Sequence, residues 1–335
     1  MATAWVLTAA MPPTLGHANI VNFANCLPVD SVEVIQVTRV NEPMADERLG
    51  ALKDHFLSNP RVVVRGLYID SPGPETDDYW VEVLKSQGFR KGDYLVASEF
   101  WGDYIARGAG GTFVPYDYDR EIHYTRATDV RATTLQEWSQ ILPNFQKALQ
   151  RRVVIFGAES VGKTTLAKDL SASVPHAAYT IEFARPYLET VGGGLTVAKM
   201  ETIVEGQAAL QRSLDNLAST PPLIALDTDL YSTLGYWEFW DPSSVPLELS
   251  DLAWQLRGDF YLLVPSNIPF EEDVLRYGGT EREKSDGYWE EVLEKNGLPY
   301  QTLESRSRSE RVDEANTIIG GLLPDIDFER LDNLS

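Results

Sequence analysis

Cysteine is almost absent: the 335-residue chain has one, Cys26. A lone thiol closes no disulfide within the chain, and the four histidines form no His/Cys group at metal-ligand spacing. Neither a disulfide framework nor a structural zinc is available to hold the fold. Positive charge is also scarce, with 29 Lys and Arg against 50 Asp and Glu and a net charge of -21. A chain this acidic repels a phosphate backbone, and its basic groupings are short: Arg151-Arg152 and the spaced Arg306, Arg308 and Arg311. This argues against nucleic acid as the main partner. An anionic substrate has to be captured by a few placed cations and backbone amides. No apolar run approaches the roughly 18 to 20 residues of a membrane span, and Met1-Ala2-Thr3-Ala4-Trp5-Val6-Leu7-Thr8 lacks the basic region of a secretion signal. The expectation is a cytoplasmic protein without a membrane partner. Repeats and low-complexity tracts are missing, and only Ser305 to Ser309 reads as loosely ordered.

What is present is apolar sequence in short, alternating blocks. Hydrophobic residues make up 43% of the chain, enough for two ordinary cores. Short apolar runs alternate with helical patterns in both halves, which implies an α/β protein of two domains with parallel sheets. In the first half Trp5-Val6-Leu7, Ser31 to Arg39, Arg61 to Val64, Asp93 to Ala97 and Thr112 to Val114 read as strands, with helices from about Ile20 and over Asp46 to Phe56. In the second, Val153 to Phe156, Leu223 to Leu226 and Phe260 to Val264 are strands. Trp138, Ile141, Leu142, Phe145 and Leu149 recur at helical spacing, so 134–150 reads as a connecting helix between domains at 1–133 and 151–325.

The strongest motif is Gly157-Ala158-Glu159-Ser160-Val161-Gly162-Lys163-Thr164, a G-x-x-x-x-G-K-T loop between an apolar strand and a helix. Its glycines turn backbone amides toward phosphates, which the helix N-terminus also attracts. Lys163 is expected on the β/γ-phosphates of ATP and Thr164 on Mg²⁺, with Gly157, Glu159, Ser160, Gly162 and Thr165 completing the cradle. A guanine-reading Asn-Lys-x-Asp is missing, which argues against a GTPase. Asp227-Thr228-Asp229 follows a strand, where ligands sit in open α/β sheets. One of its carboxylates can order Mg²⁺, for which Asp227 is the candidate, and the other can accept a hydroxyl proton. Arg276 and Arg282 flank Gly278-Gly279 and suit a lid over phosphates. Glu182 and Arg185 are candidates for the acceptor. Together these describe a small-molecule kinase.

Upstream, Thr14-Leu15-Gly16-His17 at a strand-to-helix turn resembles the T/H-x-G-H signature of the α/β nucleotidyltransferases. Gly16 permits close approach of a phosphate, and His17 at a helix N-terminus can donate to developing charge on an α-phosphate. Thr125-Arg126-Ala127-Thr128-Asp129-Val130-Arg131 is similar to the second signature, I-S-x-T-x-x-R, with Arg126 in place of its Ser. With both signatures and the phosphate loop in this order, the chain resembles the bifunctional NadR family over nearly its whole length. Further matching stretches are Ala45 to Leu49, Ser98-Glu99, Glu182 to Arg185 and Asp227 to Asp229.

The resemblance implies a Rossmann-like nucleotidyltransferase domain followed by a P-loop kinase domain. The kinase would phosphorylate the 5′-hydroxyl of nicotinamide riboside, with Lys163, Thr164, Arg276 and Arg282 on ATP and Mg²⁺, Asp227 or Asp229 as base or metal orienter, and Glu182, Arg185, Tyr187 and Asp229 on the riboside. The transferase would join nicotinamide mononucleotide to a second ATP, giving NAD and pyrophosphate, with Thr14, His17, Arg48 and Arg131 carrying the step and Gly16, Ser98 and Thr128 binding nucleotide. The helix-turn-helix module that begins some members is not expected here, and a homo-oligomer is left open. Arg126 bears on the transferase more than on the kinase. Two alternatives stand beside this reading: a kinase with a degenerate, nucleotide-binding first domain, and a non-enzymatic P-loop nucleotide sensor.

Overall fold

The computed structural model describes residues 2–40, 42–71, 73, 75–123, 126–267 and 279–323, with backbone alone for 279–284. The chain forms two compact units, one over Met1–Leu149 and one beginning at Gln150. Each is built on a five-stranded sheet in which every pairing is parallel. Among the described residues no helix is long and apolar enough to cross a membrane.

The first unit contains strands β1 (Thr3–Thr8), β2 (Ser31–Arg39), β3 (Val62–Ile69), β4 (Tyr94–Ala97) and β5 (Thr112–Pro115), in the sheet order β3-β2-β1-β4-β5. Helices α1 (Leu15–Cys26), α2 (Ala45–Phe56) and α3 (Asp77–Gln87) follow β1, β2 and β3, α4 (Trp101–Gly108) joins β4 to β5, and α5 (Ala127–Ala132) and α6 (Pro143–Leu149) come after. Alternation along the strands builds two cores. Val6, Val34 and Val96 pack on one face, and Trp5, Ile35 and Leu95 on the other. The strand order reverses between β1 and β4, and such a switch point opens a crevice at the strands' C-terminal ends. The loop carrying Thr14 and His17 leaves β1 there.

The second unit contains β6 (Arg151–Phe156), β7 (Ala178–Thr180), β8 (Leu223–Leu226), β9 (Phe260–Leu263) and β10 (Tyr300–Thr302), ordered β10-β9-β6-β8-β7. Its helices are α7 (Lys163–Ser173), α8 (Ala184–Val191), α9 (Val197–Ser213), α10 (Leu230–Trp240), α11 (Leu249–Gln255), α12 (Gly279–Lys295) and α13 (Arg308–Gly320). Val153 to Phe156 and Leu223 to Leu226 are wholly buried, as continuous apolar runs in a parallel sheet covered on both faces should be. β6 lies at the centre between β9 and β8, so its C-terminal loop faces the ends of both neighbours.

Three expectations need correction. The segment 134–150 is not one helix: it has a 3-10 turn at Trp138–Gln140, an extended Ile141 and then α6, which begins at Pro143. Proline has no N–H to continue a helix but suits a first turn. The apolar residues are nonetheless in the core, and Trp138, Ile141, Phe145 and Leu149 pack with Ala51 and Val130 of the first unit. β3 runs on to Ile69, paired with β2 as far as Arg39. Ser305 to Ser309 is ordered, because Ser307 caps α13 in a reciprocal box with Glu310.

Candidate active sites

The phosphate loop takes its shape from two glycines and one strained serine. Gly157 has φ +133°, and a Cβ there would lie 2.5 Å from the Val264 carbonyl oxygen. Gly162 (φ 92°) turns the chain into α7, and Ser160 sits at φ 59° between them. Lys163, 9% exposed, folds back over the loop. Its Nζ donates to the carbonyls of Gly157 (2.9 Å) and Ala158 (2.7 Å), which uses two of its three donors. Burial holds its pKa below the usual lysine value, opposed by the charges of Glu182 and Asp227.

Thr164 Oγ1 donates to Asp227 Oδ2 at 2.6 Å. Asp227 is 2% exposed, and burial raises its pKa against the pull of Thr164 and Lys163. Its second oxygen, Oδ1, is enclosed and has no hydrogen-bond partner. Asp229, two residues on, is placed differently. It caps α10, accepting from the Ser232 amide (3.0 Å) and from the Tyr261 hydroxyl (2.6 Å), and it is absent from the cavity wall. Both its oxygens are therefore engaged inside the fold.

A cavity of about 690 Å³ opens over the loop. Glu159, Ser160, Lys163, Thr164 and Thr165 line it at one end, and Glu182, Arg185 and Asp227 stand beside them. Tyr236, Phe239 and Trp240 of α10 and Tyr288 and Trp289 of α12 add an aromatic wall, with Tyr236 edge-on to Trp289 at 4.6 Å. Tyr187 is not on that wall; its ring stacks on Phe183 at 6.0 Å. Arg276 lies outside the described residues, and of Arg282 only the helical backbone is described.

Several residues that pattern reading passes over complete the site. Gln207, 1% exposed, accepts from the Phe183 amide (3.1 Å) and donates to the Thr228 carbonyl (3.2 Å), tying the segment of Glu182 and Arg185 to that of Asp227. Arg311 donates to the Val161 carbonyl of the phosphate loop at 2.7 Å and to Ser305 and Pro265 carbonyls. Arg308 forks onto Asp169 with contacts of 2.7 and 2.6 Å. The capping signature Ser307-Arg308-Ser309-Glu310 would have predicted a helix here. Nothing in a single sequence marks Gln207.

In the first unit, Thr14 caps α1. Its amide donates to His17 Nδ1 at 3.1 Å, with the Thr14 hydroxyl 2.8 Å from the same nitrogen. Nδ1 is thus an acceptor, and the neutral ring carries its proton on Nε2. His17 is half-buried, and desolvation, with the nearby charge of Arg120, pushes its pKa down to about 4. The loop before it is braced from both sides. Leu142 N donates to the Pro13 carbonyl (2.9 Å), Ile141 bridges to Thr14, and Arg131 donates to the Met11 carbonyl. Arg48 is wholly buried. It points inward, donating to the Ala9 carbonyl (3.1 Å) and to Glu42 (3.2 Å). Gly16 is in the first turn of α1, Ser98 is half-buried after β4, and Thr128 is exposed on α5. Arg126 is at the N-cap of α5, where a serine could cap; Asp129 accepts from its amide instead (2.9 Å).

Residues 152–311 match the family model described as an AAA domain. The trifunctional NAD biosynthesis/regulator protein NadR of Escherichia coli K12 is 23% identical over 326 residues, which cover 90% of this chain and 78% of that protein. The Salmonella typhimurium protein of the same name is 22% identical, over 86% and 75%. A crystal structure of a NadR protein with NAD and AMP-PNP has a TM-score of 0.61 at 20% identity, covering 94% of this chain and 96% of that one. One with NR has 0.62 at 19%, covering 96% of both. The similarity extends across both units.

Proposed function

We propose that this homologue of the NadR proteins makes NAD in two steps, phosphorylating nicotinamide riboside in its second unit and adenylylating the resulting mononucleotide in its first. The observation that supports the first step is that one cavity is lined both by the phosphate loop and by Glu182, Arg185 and Asp227, with aromatic side chains of α10 and α12 on its wall. In this reading ATP lies on the loop amides and Lys163. The riboside's flat ring meets the aromatic side chains, and its 5′-hydroxyl points at the γ-phosphorus. The hydroxyl oxygen bonds to that phosphorus as the bridging oxygen leaves with ADP, and Glu182 is the carboxylate at hand for the proton, Asp227 being engaged with Thr164 and the cation. The work is positioning and charge neutralisation, which needs no covalent nucleophile.

A divalent cation fits this donor set. The Thr164 hydroxyl and the buried, unpartnered Oδ1 of Asp227 would hold it together with phosphate oxygens. Mg²⁺ bound there supplies charge to the β- and γ-phosphates. No group of three or more His, Cys, Asp or Glu suited to a metal occurs among the described residues, which accords with a cation held largely by its nucleotide.

For the second step, the Nε2–H of neutral His17 is the donor toward an α-phosphate, and Arg131 braces the loop that presents it. Arg48 serves the same loop from within through the Ala9 carbonyl rather than by touching phosphate. A kinase whose first unit only binds nucleotide is the second reading, favoured by Arg126 at the α5 cap and by the inward Arg48. Mass spectrometry of products from nicotinamide riboside and ATP separates the two: NAD and pyrophosphate support both steps, and mononucleotide alone supports the kinase. Lys163→Ala is expected to abolish phosphorylation and spare adenylylation, with His17→Ala doing the reverse.

A further inference from the structure

The hydroxyl of Tyr236 is buried in the cavity wall and has no hydrogen-bond partner. Leaving such a group unpaired is unfavourable. The ring alone does not account for it, since phenylalanine would pack on Trp289 equally well. A polar atom in this position is explained by a ligand that accepts from it.

The neighbours narrow what that ligand group is. Burial and the carboxylates of Glu159, Glu182 and Asp227 hold the phenol in its protonated form, so Tyr236 is a donor at any working pH. Of the charged groups acting on it, three are carboxylates and one, Arg185, is cationic, a balance that favours a neutral oxygen over an anionic one as its partner.

Helix α10 supplies a ruler. Ser232 and Thr233, next to Asp227, line the cavity at one level, Tyr236 at the next, and Phe239 and Trp240 at the third. At 1.5 Å per residue each step is about 5 Å along the axis. A nucleoside with its reacting hydroxyl toward Asp227 and its ring among the aromatics has its sugar at the middle level.

We propose that Tyr236 donates to a secondary hydroxyl of the acceptor's ribose and makes the second unit select against the analogue that lacks that hydroxyl. This rests on the nucleoside-kinase reading above. The test measures kcat/KM for nicotinamide riboside and its 2′-deoxy and 3′-deoxy analogues, with wild type and Tyr236→Phe. Wild type should disfavour one of the two analogues. Tyr236→Phe should lose roughly 5- to 150-fold on the full riboside, little on that analogue, and so erase the discrimination. Ligand-free Tyr236→Phe should melt no lower than wild type, because it sheds an unpaired polar group. Equal losses on all three substrates, no loss on any, or a lowered melting temperature would overturn the assignment while leaving the kinase reading intact. If wild type turns over none of the three, the kinase reading fails and this assignment falls with it, an outcome visible before the variant is assayed.

Discussion

Gln207→Leu removes the bridge between the two segments that carry the acceptor-side residues. The side chain is enclosed, and its two hydrogen bonds, 3.1 Å from the Phe183 amide and 3.2 Å to the Thr228 carbonyl, both go to backbone groups that leucine cannot satisfy. α9 lies close against Phe183 at this point; a Cβ on neighbouring Gly206 would meet its ring at 2.1 Å. An unpaired buried group costs about 1–3 kcal/mol, and since the Phe183 amide is only partly buried the lower half applies, a roughly 5- to 30-fold more populated local opening. Hydrogen exchange followed by mass spectrometry on peptides spanning Phe183 reads that ratio directly. The acceptor KM should rise in parallel, because Glu182 and Arg185 flank Phe183. Gln207→Glu is the control. It keeps an acceptor for the Phe183 amide but offers no donor to Thr228, so exchange at Phe183 should stay near wild type. If Gln207→Leu exchanges at the wild-type rate there, the bridge does not hold this segment and the reasoning fails.

Asp227→Asn retains a partner for Thr164 but puts amide protons in place of the enclosed, unpartnered oxygen. A loss of about 10²- to 10⁴-fold in kinase kcat is expected, of the size seen when a charge-stabilising or proton-transferring group is removed; varying Mg²⁺ should show a raised half-saturation. Because burial lifts the Asp227 pKa above the usual carboxylate value and the ionised form is required, wild-type activity should fall on the acid side at a higher pH than an exposed aspartate would give. His17, pushed down to about 4 from 6.5, should titrate near pH 4 by NMR and stay neutral through the physiological range. Between those two values the unfolded chain takes up a proton that native His17 refuses, so its effect is to lower stability as pH falls through that window; a His17→Gln variant should lose this dependence. Asp229→Asn should act on stability, lowering the melting temperature by disturbing the α10 cap and the Tyr261 contact, with kcat in the folded fraction changed far less than in Asp227→Asn.

Much of the fold was legible because parallel strands are buried on both faces. Val153 to Phe156 and Leu223 to Leu226 carry no polar residue, as strands covered on both faces should. The short edge strands β7 and β10 were not legible, with three residues each and exposed positions such as Gln301. The misread at 134–150 has a plain cause. Apolar residues at helical spacing mark a buried face, but Pro143 determines where a helix can run, and the spacing persists across the break because every turn of the segment faces the same core.

The site divides along a different line. A motif whose residues act through backbone amides is visible in sequence, since glycine positions dictate the path of the chain; the loop from Gly157 to Thr164 is of this kind. A side chain's direction is not visible when the chain leaves a strand. Asp227 and Asp229 are chemically identical and two residues apart, yet one lines the cavity and keeps a buried, unpartnered oxygen, and the other is consumed by Ser232 and Tyr261. A partial signal existed, because an aspartate immediately before an apolar helix is a preferred N-cap, and Leu230 to Trp240 is such a helix. Taken with the strand end before it, that assigns Asp229 to the cap and leaves Asp227 for chemistry. Arg48 repeats the lesson in the first unit: the family resemblance assigns it to the transfer step, but its neighbours Ala51 and Leu52 face the core, and an arginine on the buried side of such a helix is better explained by the carbonyl and carboxylate it bonds there.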